Sequence, residues 1–254
     1  PLLSTWSVLL KGLEKLSLRR VTFPPINSSS GILSTTLHWL EMRECLAFDD
    51  YVALRIAFPN LETLIMQLVT ANNSALLLPS NLPSSLTSFT TSHVIDVSPQ
   101  QKRETDIRNI DEKEVALCSP WPPGLTHLEL WRIQLGAGSS VATQSWMLEL
   151  PQTLTALNTP IAKFRPVWWR SAPLSFLSQI KTLNVFFSRH LCPEDLLALP
   201  RGLTRLETQI DPTPELLAAL PPCLTSMKIY HKAITRAELE CLPPKLTEIE
   251  HVII

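Results

Sequence analysis

Two places along this 254-residue chain set chemically active side chains close together. His127 and Glu129 stand two residues apart in a run that alternates apolar and polar residues, so an extended backbone would project both from one face. A carboxylate beside an imidazole fixes its tautomer, which is how many general bases are built. His190 and Cys192 are also close in sequence. Neither pair reads as catalytic. Pairs like His127/Glu129 arise by chance on any polar sheet face, and Pro193 starts a helix beside Cys192, which points to capping and packing. The other histidines, His38, His93, His231 and His251, form no HExxH or close metal pair. No GxSxG elbow, phosphate loop or dinucleotide fingerprint is present. Six glycines against 22 prolines leave little material for phosphate-binding turns. The chain is expected to be no enzyme and to hold no cofactor and no metal.

Charge and hydropathy narrow the partners. A net charge of −1 creates no field for nucleic acid. No apolar run approaches the ~20 residues of a membrane helix. Five widely spaced cysteines, Cys45, Cys118, Cys192, Cys223 and Cys241, with no CxxC, read as reduced and mostly buried thiols. With no basic-then-apolar leader at Pro1, a cytoplasmic location is expected. An extracellular or cell-surface location is the alternative, and only there would the sequons at Asn27 and Asn72 matter. Because the chain opens at Pro1 and stops inside a repeat at Ile254, it is expected to be part of a longer protein. Oligomeric state leaves no mark in the sequence.

The elements that position these side chains come from a repeat. The phrase Leu-Pro-x-x-Leu-Thr-x-Leu recurs as LPSSLTSF from Leu82, LPQTLTAL from Leu150, LPRGLTRL from Leu199, LPPCLTSM from Leu220 and LPPKLTEI from Leu242. WPPGLTHL from Trp121 is a close variant, and KGLEKLSL, TTLHWLEM, PNLETLIM and SQIKTLNV are looser copies. Taking the first leucine of each L-x-x-L unit as anchor gives Leu13, Leu37, Leu61, Leu86, Leu125, Leu154, Ile180, Leu203, Leu224 and Leu246. The steps are 24, 24, 25, 39, 29, 26, 23, 21 and 22 residues. Seven of the nine lie between 21 and 26, the period of a stacked strand-and-turn unit.

Each copy predicts a short strand after its anchor, with apolar residues on one face and polar or variable ones on the other. Short helices fill several of the connections. Thr235 and Glu238 have capping-box spacing, and Thr213-Pro214-Glu215 sets an N-cap, a proline at the first helical position and an acid near the positive helix end. Asp49 or Asp50 would start a helix over 51–57, and Asp111 with Glu114 would cap a turn over 115–118. A lone unit buries too few apolar side chains to offset the entropy of ordering its backbone. Stacking covers both flanks of a unit and pairs its strand edges.

On these residues, from Leu13 to Ile254, the chain resembles the leucine-rich-repeat superfamily. The Leu-Pro-x-x-Leu-Thr-x-Leu phrase is similar to proline-bearing repeats of bacterial effectors and to FNIP-type repeats. The resemblance implies one α/β leucine-rich-repeat solenoid over 1–254 with about ten repeats. It would be a curved horseshoe with parallel strands on the concave face and short helices or turns on the convex face. The usual asparagine eight residues after each anchor is missing; Cys45 is the one familiar substitute, so the backbone there must be satisfied otherwise.

Two interruptions are expected: a charged insertion near 96–111, and one near 164–172 that carries Trp168 and Trp169. Outward positions fall two, four, six and seven residues after each anchor. They mix both signs of charge with aromatic rings, the residue types that dominate protein interfaces. The expected partner is a protein or peptide on the concave face, touching Trp39, Arg43, His127, Glu129, Trp131, Arg132, Phe186, Phe187, Arg205 and Tyr230. The function expected is an interaction scaffold, in its specific form the substrate-recognition part of a ubiquitin-ligase adaptor or effector. A receptor or adhesin ectodomain, and a regulator such as a GTPase activator, are the alternatives.

Overall fold

The computed structural model describes residues 8–21, 31–45, 52–67, 79–96, 121–134, 150–164, 178–187, 193–230 and 234–252. Their ten strands are β1 (Lys15–Arg19), β2 (Trp39–Arg43), β3 (Thr63–Gln67), β4 (Ser88–Asp96), β5 (His127–Gln134), β6 (Ala156–Phe164), β7 (Thr182–Phe187), β8 (Arg205–Thr208), β9 (Ser226–Tyr230) and β10 (Glu248–Val252). Strand order follows chain order, and every strand starts two residues after its anchor. The connections carry short helices: α1 (Val52–Ala57), α2 (Pro193–Leu197), α3 (Pro214–Ala218) and α4 (Arg236–Leu239). A parallel strand whose return path is a short helix or turn, repeated in register, is the leucine-rich-repeat solenoid the spacing predicts.

The chain divides into two compact units, one of residues 1–126 with 132–151 and one of residues 127–131 with 152–254. In the first, the inward row Leu16, Leu40, Leu64 and Phe89 runs in register across β1 to β4. Leu40, Leu64 and Phe89 are fully buried, as are the anchors Leu37, Leu61 and Leu86. Leu13, whose repeat carries the edge strand β1, is 39% exposed. In the second unit, Leu128, Leu157, Leu183, Leu206, Met227 and Ile249 form the same row. All but Ile249, on the other edge strand, are buried. Thus, apart from the edge repeats of Leu13 and Leu246, the leucines whose spacing defines the repeat are the interior of each unit.

The threonine of the repeated phrase has a second job. Thr87, Thr126, Thr204, Thr225 and Thr247 each follow an anchor by one residue. Their hydroxyls donate to the carbonyls of Glu62, Thr87, Lys181, Thr204 and Thr225, the same position one repeat earlier, at 3.0–3.1 Å. Four of these carbonyls also accept the two backbone N–H groups that open the next strand, as the Thr204 carbonyl does from Thr225 and Ser226. Where the strands enter the sheet, a ladder of hydroxyls therefore joins neighbouring repeats, adding about 1 kcal/mol per bond. At the far strand ends Cys45 is buried and its thiol donates to the Arg43 carbonyl, with the Leu18 carbonyl also in reach.

The capping residues that the sequence marks form their caps in α3 and α4. Thr213 caps α3, its hydroxyl accepting from the Leu216 N–H, with Pro214 opening the helix. Thr235 and Glu238 form the full capping box of α4. Helix α1 starts at Val52; its expected caps Asp49 and Asp50, and the turn over 115–118, lie outside the described residues.

The expected insertions near 96–111 and 164–172 lie outside the described residues, apart from Asp96 and Phe164, where the nine-residue strands β4 and β6 end. Two sequence expectations are corrected. Ile210, assigned to the outward face, is 4% exposed, because β8 ends at Thr208 and the chain turns inward after it. Cys223 and Cys241 are free but only half-buried, unlike Cys45.

Candidate partner-binding face

The outward side chains form rows because every strand begins at the same offset from its anchor. In the first unit, one row reads Lys15, Trp39, Thr63, Ser88, and the next reads Ser17, Glu41, Ile65, Thr90. Glu41 is only 8% exposed although its strand position faces outward. A carboxylate so covered needs partners, and it has two: Ser17 Oγ donates to it at 2.9 Å, and the Arg43 guanidinium is hydrogen-bonded to its other oxygen. Trp39, on the same strand, is half-buried.

Beyond the ends of β1 and β2 the backbone turns through the left-handed region at Arg20 (φ 55°) and Glu44 (φ 52°). Their N–H groups donate to the Arg43 and Gln67 carbonyls, both at 2.9 Å, which holds that unfavoured conformation. The two side chains then meet, Arg20 Nε lying 2.6 Å from Glu44, and Arg19 reaches the same carboxylate at 3.4 Å. The hydrogen bond to Glu44 raises the Arg20 pKa above its ordinary value, and the same bond lowers that of Glu44.

In the second unit, one row crosses all six strands: Glu129, Asn158, Asn184, Glu207, Lys228 and Glu250. Asn158 donates to Glu129 at 2.8 Å, and Lys228 pairs with Glu250 at 2.9 Å. The Tyr230 hydroxyl donates to Glu207 at 2.6 Å, and the Lys228 ammonium lies 5.4 Å from the Tyr230 ring centre. Burial, and then the hydrogen bond to Glu207, push the Tyr230 phenol above its ordinary pKa. Hydrogen bonds to Glu250 and Tyr230 raise that of Lys228. The side-chain oxygens of Asn158 and Asn184 are covered and accept no hydrogen bond.

Of the residues expected to touch a partner, Trp39 and Arg43 share β2, and Arg43 is exposed. His127, Glu129, Arg205 and Tyr230 lie on outward rows of the second unit. Arg205 is exposed and His127 half-buried. Trp131, Arg132, Phe186 and Phe187 have backbones within β5 and β7, but their side chains lie outside the described residues, as do His190 and Cys192. The sequence reading missed Glu41 as the partner of Arg43, Asn158 as that of Glu129, and Glu207 and Lys228 as those of Tyr230. Their common offsets from the anchors were the available signal. Glu129 is engaged by Asn158, and among the described residues no group of three metal-ligating side chains gathers. What the two faces offer is a set of oriented donors, acceptors and rings.

No known family profile matches the sequence, and no curated protein does. Solved structures do. The leucine-rich-repeat-containing protein LegL7 from Legionella pneumophila is 14% identical with a TM-score of 0.54, over 99% of this chain and 87% of that one. CroV588, a circular leucine-rich-repeat protein, is 17% identical with a TM-score of 0.49, over 94% of this chain and 33% of that one. This chain thus spans about a third of CroV588. Among the described residues no helix is long and apolar enough to cross a membrane. With its register, its buried anchors and its likeness to LegL7, the chain has the leucine-rich-repeat fold.

Proposed function

We propose that the outward face of the strands binds a partner protein. One observation carries the reading. Along β9, Met227 and Ile229 are buried, whereas Ser226, Lys228 and Tyr230 stay half-exposed, with Tyr230 and Lys228 already oriented by cross-strand bonds to Glu207 and Glu250. Side chains held in place before binding lose less entropy on association, and preorganisation of this kind is what binding surfaces use. The specific form of the reading is recognition of the substrate of a ubiquitin-ligase adaptor or effector.

The test places a photoreactive residue at Thr182, on the outward row of β7, or at exposed Ala237 in α4. Partner adducts should form from Thr182 and not from Ala237, and Arg205→Ala should reduce them. Adducts from Ala237 alone, or none from either, would refute the reading. The specific form requires that the captured partner gain ubiquitin only when this protein is present.

A further inference from the structure

We propose that the ends of β1 and β2, carrying Arg19, Arg20 and Arg43, dock an acidic segment of the partner protein. The inference rests on the reading that the strand face binds protein, and it adds the partner's chemistry.

The carrying observation is how the charges are layered. The side chains of Arg19, Arg20 and Arg43 are 68%, 71% and 52% exposed, whereas their counter-ions Glu44 and Glu41 are 33% and 10% exposed. The cations are outermost and the anions lie beneath them. Three guanidiniums face two carboxylates, and exposed Lys15 on the outward row of β1 adds a fourth cation. An approaching partner therefore meets positive charge. A guanidinium has five N–H donors in a fixed plane, so a carboxylate holding one edge orients it and leaves the others for a second carboxylate. Two Arg20–Glu44 devices add to this: the salt bridge, and a left-handed turn at both residues that repeats from one coil to the next. A backbone conformation disfavoured for these residues, kept twice at a charged edge, is a feature of sites more than of plain surfaces. Half-buried Trp39 pairs in register with Lys15 at the opposite end of the same two strands, placing apolar area beside that cation. The two carboxylates within the cluster disfavour a continuous polyphosphate track, which points to a protein segment rather than to nucleic acid.

The experiment measures the anisotropy of a fluorescein-labelled oligoglutamate peptide titrated with the full chain at low salt. Binding is expected, and raising the salt to physiological strength should weaken it. Arg19→Gln with Arg43→Gln should weaken it about tenfold or more, the scale of losing two charge-assisted contacts. Lys15→Gln, which removes no described ion pair, should weaken it less, and this variant separates charge from folding. Arg236→Gln, in α4 of the other unit and off the strand face, should leave it unchanged. The proposal is overturned if the wild-type chain does not bind the peptide, or if the double variant binds it equally well. It is also overturned if Arg236→Gln weakens binding as much, or if single-stranded RNA binds more tightly than oligoglutamate. Adducts from Thr182 that persist while oligoglutamate fails to bind would overturn only the acidic partner and leave protein binding intact.

Discussion

The hydroxyl of Thr225 donates to the carbonyl oxygen of Thr204, one repeat earlier, at 3.0 Å. That carbonyl already accepts the N–H groups of Thr225 and Ser226. Thr225→Val should therefore strand no acceptor and should cost about 1 kcal/mol, the net worth of an ordinary hydrogen bond. Thr225→Ser keeps the donor and should recover most of that loss. Urea unfolding checks both, as a lowered midpoint with unchanged slope for valine and a near-native midpoint for serine.

This ladder shows which parts of the fold were legible in the sequence. The anchors could be read because burial demands one residue class at one spacing, and that demand prints itself as Leu13, Leu37, Leu61 and their successors. The threonine was visible in the phrase, yet its role was not, since a hydroxyl's partner is a carbonyl whose position only stacking fixes. The same holds for Glu41: its sequence position says outward, and only the arrangement of Ser17 and Arg43 around it makes it buried. Ile210 misled because a strand's length decides where alternation stops, and β8 is only four residues long. Alternation could name the face that holds Tyr230 but not its bond to Glu207, because choosing a partner needs the side-chain directions of two strands at once.

The Tyr230–Glu207 bond predicts an alkaline effect. Burial and the neighbouring carboxylate both favour the protonated phenol, so its folded pKa lies above the ordinary 10.0. The stability this confers is complete below 10.0 and is lost as pH rises through the folded value. Tyr230→Phe should lower the urea midpoint at neutral pH and flatten its fall in alkali. The sequence holds two tyrosines, so a Tyr51→Phe background lets absorbance titration read Tyr230 alone. A phenol titrating at or below its ordinary value there would contradict the prediction.

At the start of α3 the sign reverses. Its own backbone N–H and the Thr213 hydroxyl bond the Glu215 carboxylate and hold its pKa below the ordinary 4.5. That contribution is present above 4.5 and is lost as pH falls through the lower folded value. Thr213→Ala removes one of these bonds together with the cap on the Leu216 N–H. The cap is worth about 1 kcal/mol. Stability should therefore fall at neutral pH, and its further decline in acid should be shallower than in the wild type. Thermal unfolding followed by circular dichroism across the acid range measures both effects.

Burial along the array predicts unequal costs for the same substitution. Leu64 is 0% exposed and lies in register between Leu40 and Phe89, so its side chain belongs to two inter-repeat interfaces. Leu64→Ala should cost about 2–5 kcal/mol, transfer and cavity together. Leu13 is 39% exposed in the repeat of an edge strand, where one neighbour packs against it. Leu13→Ala should cost about 1 kcal/mol, because part of its surface never leaves water. Stability in a stacked array is a sum of repeat and neighbour contributions, so the damage should also be local. Hydrogen exchange should quicken across β2, β3 and β4 for the first variant and around β1 for the second. Equal losses, or exchange that quickens uniformly in both, would mean that each repeat does not depend chiefly on the coils it touches.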